Sequence, residues 1–208
     1  MNINKIPIFC DFDNTLTLST KELIRLLNIK NDTNVAWQDV KKYNCKDVFP
    51  NITHTEILEC FASPDFFTEL EFYDGVVDTL KYHEYSFTWN ICTIGTEGNL
   101  IYKKLWCNEN IPIPFVWNGI EKIGMGKETT DMSQGIIIDD HVDNLRSSNA
   151  KYKILFKGGF STEWNTKEPE EKFIECCTWK EIKIILSIIL DWEQRNIISN
   201  KFINIYID

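Results

Sequence analysis

Two aspartates, Asp11 and Asp13, follow directly on the apolar run Ile6–Cys10, with only Phe12 between them. Alternate side chains of extended backbone share a direction, so this spacing lets both carboxylates converge where a buried strand ends. Carboxylates that close repel unless one takes a proton or a cation sits between them. The arrangement suits phosphoryl transfer: one carboxylate attacks phosphorus, the other handles the leaving-group proton, and a divalent metal neutralises the phosphate. The plain alternative is a solvated turn, where Asp and Asn are common because they bond to nearby backbone.

Three further segments could complete such a site. Ile91-Cys92-Thr93 closes a second apolar run and leads through Ile94–Asn99 into a helix. A hydroxyl followed by helix-start amides makes a cradle for phosphate oxygens, although a strand-closing Thr and an ordinary cap give the same pattern. Gly135–Ile138 runs into Asp139-Asp140-His141-Val142-Asp143-Asn144. Acidic groups at the end of a hydrophobic strand are costly to bury without a cation, and hard oxygen ligands favour Mg²⁺. A helix cap at Asp140 or Asp143 is the structural alternative, and His141 is expected to be exposed. Gly124-Met125-Gly126-Lys127 offers a turn whose glycines let an ammonium approach phosphate and the nucleophile. Lys127 is preferred there over Lys122.

Positioning these segments requires strands that end together. Ile6–Asp11, Phe87–Thr93, Phe115–Trp117, Gly135–Asp139 and Lys153–Phe156 read as strands. Helical patterns at Asp74–His83, Glu97–Asn108, Asp143–Ala150 and Trp179–Arg195 separate or follow them, the signature of a parallel sheet with crossover helices. The fold class is α/β, a doubly wound parallel sheet of Rossmann-like type. The first two strands lie too far apart for one crossover. Between them, Ser19-x-x-Glu22 and Thr53-x-x-Glu56 read as capping boxes, and Ser63-Pro64 as an N-cap with Pro at the first helical position. Residues 18–72 are therefore expected to form a helical cap over the strand ends, and residues 1–17 and 73–208 the catalytic core.

The 208 residues, 43% hydrophobic and rich in Phe, Trp and Tyr, allow a substantial core. A net charge of −9 argues against a nucleic-acid polymer as partner, which needs a basic face. The seven cysteines form no Cys-x-x-Cys pair and read as buried reduced thiols of a cytoplasmic protein. No signal peptide is evident, and the apolar run Ile184–Leu190 is too short to cross a bilayer. The tryptophans fit either a homodimer face or the cap pocket.

Taken in order, Asp-x-Asp-x-Thr, a strand-terminal Thr, a Lys and an Asp-Asp pair resemble the haloacid dehalogenase superfamily of phosphotransferases. The chain is most similar to its 5'(3')-deoxyribonucleotidase family, through Ser63–Leu70 with Tyr73-Asp74-Gly75, Ile91-Cys92-Thr93, Ile137–Asp140 and Trp179–Ile182. The resemblance is weakest over Ile29–Ile52 and beyond Asp191. It implies Asp11 as the nucleophile that forms an aspartyl-phosphate, and Asp13 as the acid and base. It implies Thr93 and Lys127 on the phosphate oxygens, and Mg²⁺ held by Asp11, the Asp13 carbonyl and Asp140, with Asp139, Asp143 and Asn144 in support. The implied substrate is a small phosphomonoester, a deoxyribonucleoside monophosphate. Ile94, Gly95 and Ser19 depart from the family pattern at a hydroxyl, a proline and a base-enclosing aromatic, which touches base and sugar preference more than the chemistry. A capped phosphatase for a phosphosugar or phosphoserine, an enzyme processing nucleic-acid 3'-phosphates, and a non-catalytic nucleotide-binding module are the competing readings. The acidic charge disfavours the second of these, and the intact Asp11, Asp13, Lys127 and Asp140 disfavour the third.

Overall fold

Six parallel strands form a single sheet in the order β3-β2-β1-β4-β5-β6. The computed structural model describes residues 5–121 and 126–205. The strands are β1 (Ile6–Cys10), β2 (Phe87–Gly95), β3 (Val116–Glu121), β4 (Ile136–Asp139), β5 (Tyr152–Phe156) and β6 (Ile174–Cys176). The five strands expected from the sequence are present. β6 is additional, and three residues, Ile-Glu-Cys, are too few to show a period. Four helices follow β1 outside the insert: α4 (Val76–Tyr82), α5 (Glu97–Asn110), α6 (Val142–Ser147) and α7 (Trp179–Ile205).

Alternation along the strands loads both faces. Ile8, Cys10, Ile136, Ile138, Ile154 and Phe156 pack in one core with Trp89, Trp106 and Trp179. Phe9, Ile137 and Leu155 point the other way, into a smaller core with Val142 and Leu145 of α6. A sheet covered on both faces needs runs that are apolar throughout, as these are. The strand order reverses direction between β1 and β4, which pair through Ile8–Cys10 and Ile136–Ile138. Ligands bind at such a switch point, outside the carboxyl ends of the strands. Gly135 admits this pairing, because a Cβ there would lie 2.6 Å from the Pro7 carbonyl oxygen. Gly135→Ala is expected to cost about 1–3 kcal/mol by overpacking, read from urea unfolding midpoints; an unchanged midpoint would show the strands tolerate the methyl.

The chain leaves the sheet at a short bridge between Thr17 and Phe72, reinforced where Leu18 N donates to Glu71 O and Tyr73 N to Leu16 O. Between them lie α1 (Ser19–Asn31), a 3₁₀ turn (Trp37–Asp39), α2 (His54–Phe61) and α3 (Pro64–Thr68). The capping box at Thr53 and Glu56 forms, and Ser63 caps α3 with Pro64 in the first turn. The box expected at Ser19 and Glu22 does not. Leu18 occupies the cap position, Ser19 is the first helical residue, and Glu22 instead takes the Arg25 guanidinium. Ser19 is diverted because a carboxylate, Asp13, competes for its hydroxyl.

The cysteines are all free, but Cys60 is half-buried and Cys177 exposed, so not every thiol is interior. Among the described residues no helix is long and apolar enough to cross a membrane.

Candidate active site

β1 ends at Cys10, and the chain turns immediately. Asp11 N still donates to Ile138 O of β4. Phe12 is fully buried against Trp106, edge to face at 5.5 Å, which fixes the two aspartates flanking it. The Phe12 carbonyl takes Leu16 N, Thr17 N and the Thr17 hydroxyl, while Asn14 adopts φ 52°, a left-handed conformation that Asn tolerates. Both Asp11 and Asp13 line one cavity. Asp13 Oδ1 accepts from the Ser19 hydroxyl at 2.8 Å.

From the neighbouring β4, Asp139 and Asp140 reach the same place and diverge. Asp139 is fully buried, with Oδ1 accepting from His141 N and Asn144 Nδ2 and Oδ2 paired with Lys127. Asp140 faces the cavity, its Oδ2 accepting from Trp164 Nε1 at 2.7 Å and its Oδ1 from the Thr15 hydroxyl at 3.4 Å. Carboxylate oxygens of Asp11, Asp139 and Asp140 lie within 4.8 Å of one another.

One ammonium stands among these three carboxylates. Lys127 Nζ is 2.6 Å from Asp11 Oδ1 and also bonds Asp139. Burial opposes its charge, but Asp11 and Asp139 outweigh burial and hold the ammonium well above its usual range. A single cation does not balance the cluster. Burial, against the pull of Lys127 and with Asp139 and Asp13 alongside, pushes the Asp11 carboxyl up to about 7. Burial, then Asp11 and Asp139, push Asp140 well above the carboxylate range too. A divalent ion would supply the missing charge, and a set of hard oxygens in which Asp11 and Asp140 face the cavity fits Mg²⁺.

Lys127 reaches inward from the start of a 3₁₀ turn, Lys127–Thr129, and Gly126 before it has an ordinary φ of −127°. Lys122 and Gly124 lie outside the described residues. Thr93 is interior to β2, which continues to Gly95, so it does not close the strand as expected. β1 stops earlier, at the Cys10–Ile91 pair, and Thr93 therefore projects past the end of that ladder. Neither Thr93 nor Lys127 lines the cavity; both stand behind it. Asp143 faces away and pairs with Arg146, whereas Asn144 bonds Asp139 directly. His141 is half-buried, caps α6 and lines the cavity, contrary to the exposure expected of it.

Sequence reasoning missed Lys103, Trp164 and Tyr43. Lys103 projects from α5 onto Asp13, with its ammonium 3.0 Å from the Thr93 hydroxyl. The available signal was its place on the helix face that also carries Asn99, Trp106 and Cys107, a 3–4 spacing that buries whatever occupies it. Tyr43 belongs to the insert and had no periodicity to mark it. It is clasped to the core by Glu163, whose Oε1 accepts Tyr43 N at 2.9 Å, and by edge contacts with His141 and Trp164. Tyr43, Leu58 and Phe61 form the insert's wall of the cavity, whose volume is about 310 Å³. Trp164 is buried and braces Asp140 from behind the cavity wall, while Trp192 on α7 is exposed.

No protein-family model and no curated protein matches the sequence. Solved structures do. A haloacid dehalogenase-like family hydrolase from Streptococcus pneumoniae superposes with a TM-score of 0.59 at 15% identity, over 88% of this chain and 98% of that one. A phosphoglycolate phosphatase, so described by prediction, from Haemophilus somnus 129pt gives 0.57 at 11% identity, over 89% and 100%. The HAD-hydrolase YfnB from Bacillus subtilis, bound to magnesium, gives 0.55 at 13% identity, over 88% and 99%. The fold of this chain is the fold of the haloacid dehalogenase-like hydrolases, with an aspartate cluster at its topological switch point.

Proposed function

We propose that the protein is a Mg²⁺-dependent phosphomonoesterase that dephosphorylates deoxyribonucleoside monophosphates through an aspartyl-phosphate. One observation carries the reading: Asp11, at the β1–β4 switch point, is braced by Lys127 and opens on a cavity where Asp13 stands beside it. Asp11 attacks phosphorus as the ester P–O bond breaks, and Asp13 gives its proton to the departing oxygen. A water then attacks the phosphorus of phospho-Asp11, returns a proton to Asp13, and releases inorganic phosphate. Asp11, the Asp13 carbonyl and Asp140 would hold Mg²⁺, which supplies charge neutralisation at the transferring phosphoryl group. Asp139 fixes Lys127 from behind, and Lys127 offsets the charge around Asp11. Thr93 and Lys127 are assigned to the phosphate oxygens, which they would meet from just behind the wall that Asp11 and Asp13 give the cavity.

The nucleoside assignment is supported by the apolar and aromatic wall of Tyr43, Leu58 and Phe61, which suits a planar base, and which takes the place of the aromatic absent at Ser19. Residues 18–72 act in this reading as the cap. About 310 Å³ is near the lower end of small-ligand pockets, sized for a monomeric ester. Seven free cysteines support a cytoplasmic setting.

Phosphate release from a panel of deoxynucleotides, phosphosugars and phosphoserine tests the proposal. Turnover of the nucleotides with Mg²⁺, lost in EDTA, is the expected result. Release from non-nucleotides alone removes the nucleotide assignment, and release from none of them removes the enzyme.

A further inference from the structure

Lys103 is 1% exposed, on a helix whose opposite side faces water. Burying an ammonium is expensive unless each of its protons finds an acceptor. Here all three do: Asp13 Oδ2, the Thr93 hydroxyl at 3.0 Å and the Ile94 carbonyl at 3.2 Å. The ammonium also lies 5.4 Å from the centre of the Phe12 ring. Asp13 is thereby gripped at both oxygens, by Lys103 on one and Ser19 on the other. The grip is rigid because α5 is fixed at its start, where Thr96 caps it and Asn99, one turn before Lys103, donates to Phe61 O at 2.6 Å.

We infer that Lys103 is a positioning residue, which aims the Asp13 carboxyl group at the leaving-group oxygen by tying it to Thr93 on β2. This rests on the proposed phosphatase chemistry and adds to it a dependence on the ester cleaved. An aliphatic leaving oxygen must be protonated as it departs, whereas p-nitrophenolate leaves without a proton. Misaiming Asp13 therefore slows the first ester and spares the second. A lysine that merely bound phosphate, or merely supported α5, would affect both alike.

The test is kcat/KM of Lys103→Met and Lys103→Arg on a deoxynucleoside monophosphate and on p-nitrophenyl phosphate, with Mg²⁺. This ratio reads events only up to departure of the leaving group, so hydrolysis of phospho-Asp11 drops out. For Lys103→Met the nucleotide value is expected to fall about 10²-fold, within the usual span of general acid catalysis, and the p-nitrophenyl value by less than about threefold. Lys103→Arg keeps the charge but replaces the compact ammonium that serves three acceptors with a larger planar group, and shows the same selectivity to a smaller degree. Equal losses on both esters, in either variant, overturn the inference, as does an undiminished nucleotide rate. Should Lys103→Met fail to fold, the Arg variant decides alone. A wild-type protein inactive on both esters instead defeats the phosphatase proposal itself.

Discussion

Asp11→Asn abolishes turnover, by at least about 10⁴-fold in kcat, while the circular dichroism spectrum stays that of the wild type. The size follows from the amide's failure as a nucleophile, for which no neighbour substitutes in the proposed scheme. The same variant carries a stability signature of opposite sense. Burial pushes the Asp11 carboxyl from an ordinary 3.8 up to about 7, so between those values the native state without metal holds more protons than the unfolded chain. Stability conferred by the protonated group is therefore lost as pH rises through that window. Asp11→Asn removes this loss and, without metal, unfolds at higher urea than the wild type at pH 8, with the advantage shrinking toward pH 5. Residual turnover close to wild type eliminates the nucleophile, and a variant weaker than wild type at pH 8 contradicts the electrostatic account.

Lys127→Met produces the largest loss of stability. It leaves Asp139, fully buried, and Asp11 without their shared cation. Breaking a buried pair by removing one partner costs about 3–5 kcal/mol, since the orphaned charge remains in a poorly solvated site. Protons can replace the missing cation, so the loss is greater at pH 8 than at pH 5: the Asp11 carboxyl, already raised by burial, loses the ammonium that pulls it down, and stability falls as pH climbs through its titration. Urea unfolding at the two values checks this. An equal loss at both, or one below about 1 kcal/mol at pH 8, would mean that the ammonium does not carry the cluster.

The parts of this site legible in the sequence are those where an apolar strand stops at an acid. Ile6–Cys10 before Asp11 and Ile136–Ile138 before Asp139 mark strand tips by themselves, because a buried run cannot continue through a carboxylate without compensation. Parallel strands whose carboxyl ends share one edge then bring the acids together with little further information. For Lys127 the described part of the glycine argument adds little, since Gly126, the residue before it, keeps an ordinary backbone. Lys103 was missed because a lysine in an amphipathic helix is ordinarily counted as solvated; only its register with Trp106 and Cys107 contradicts that. Ser19 looked like a cap for a similar reason, as local pattern gives no hint that Asp13 outbids the helix amides for its hydroxyl. Tyr43 and Trp164 approach through loops, where side-chain direction is set by tertiary contacts such as Glu163 and Asp140.

The covalent step is open to a direct measurement. Protein mixed with Mg²⁺ and a turning-over phosphomonoester is quenched in acid, reduced with borohydride and mapped by peptide mass spectrometry. The account predicts reduction of an acyl phosphate at Asp11, converting that residue to homoserine in the wild type, with no such product from Asp11→Asn. A quenched wild-type protein that turns substrate over yet carries its modification elsewhere, or nowhere, contradicts it.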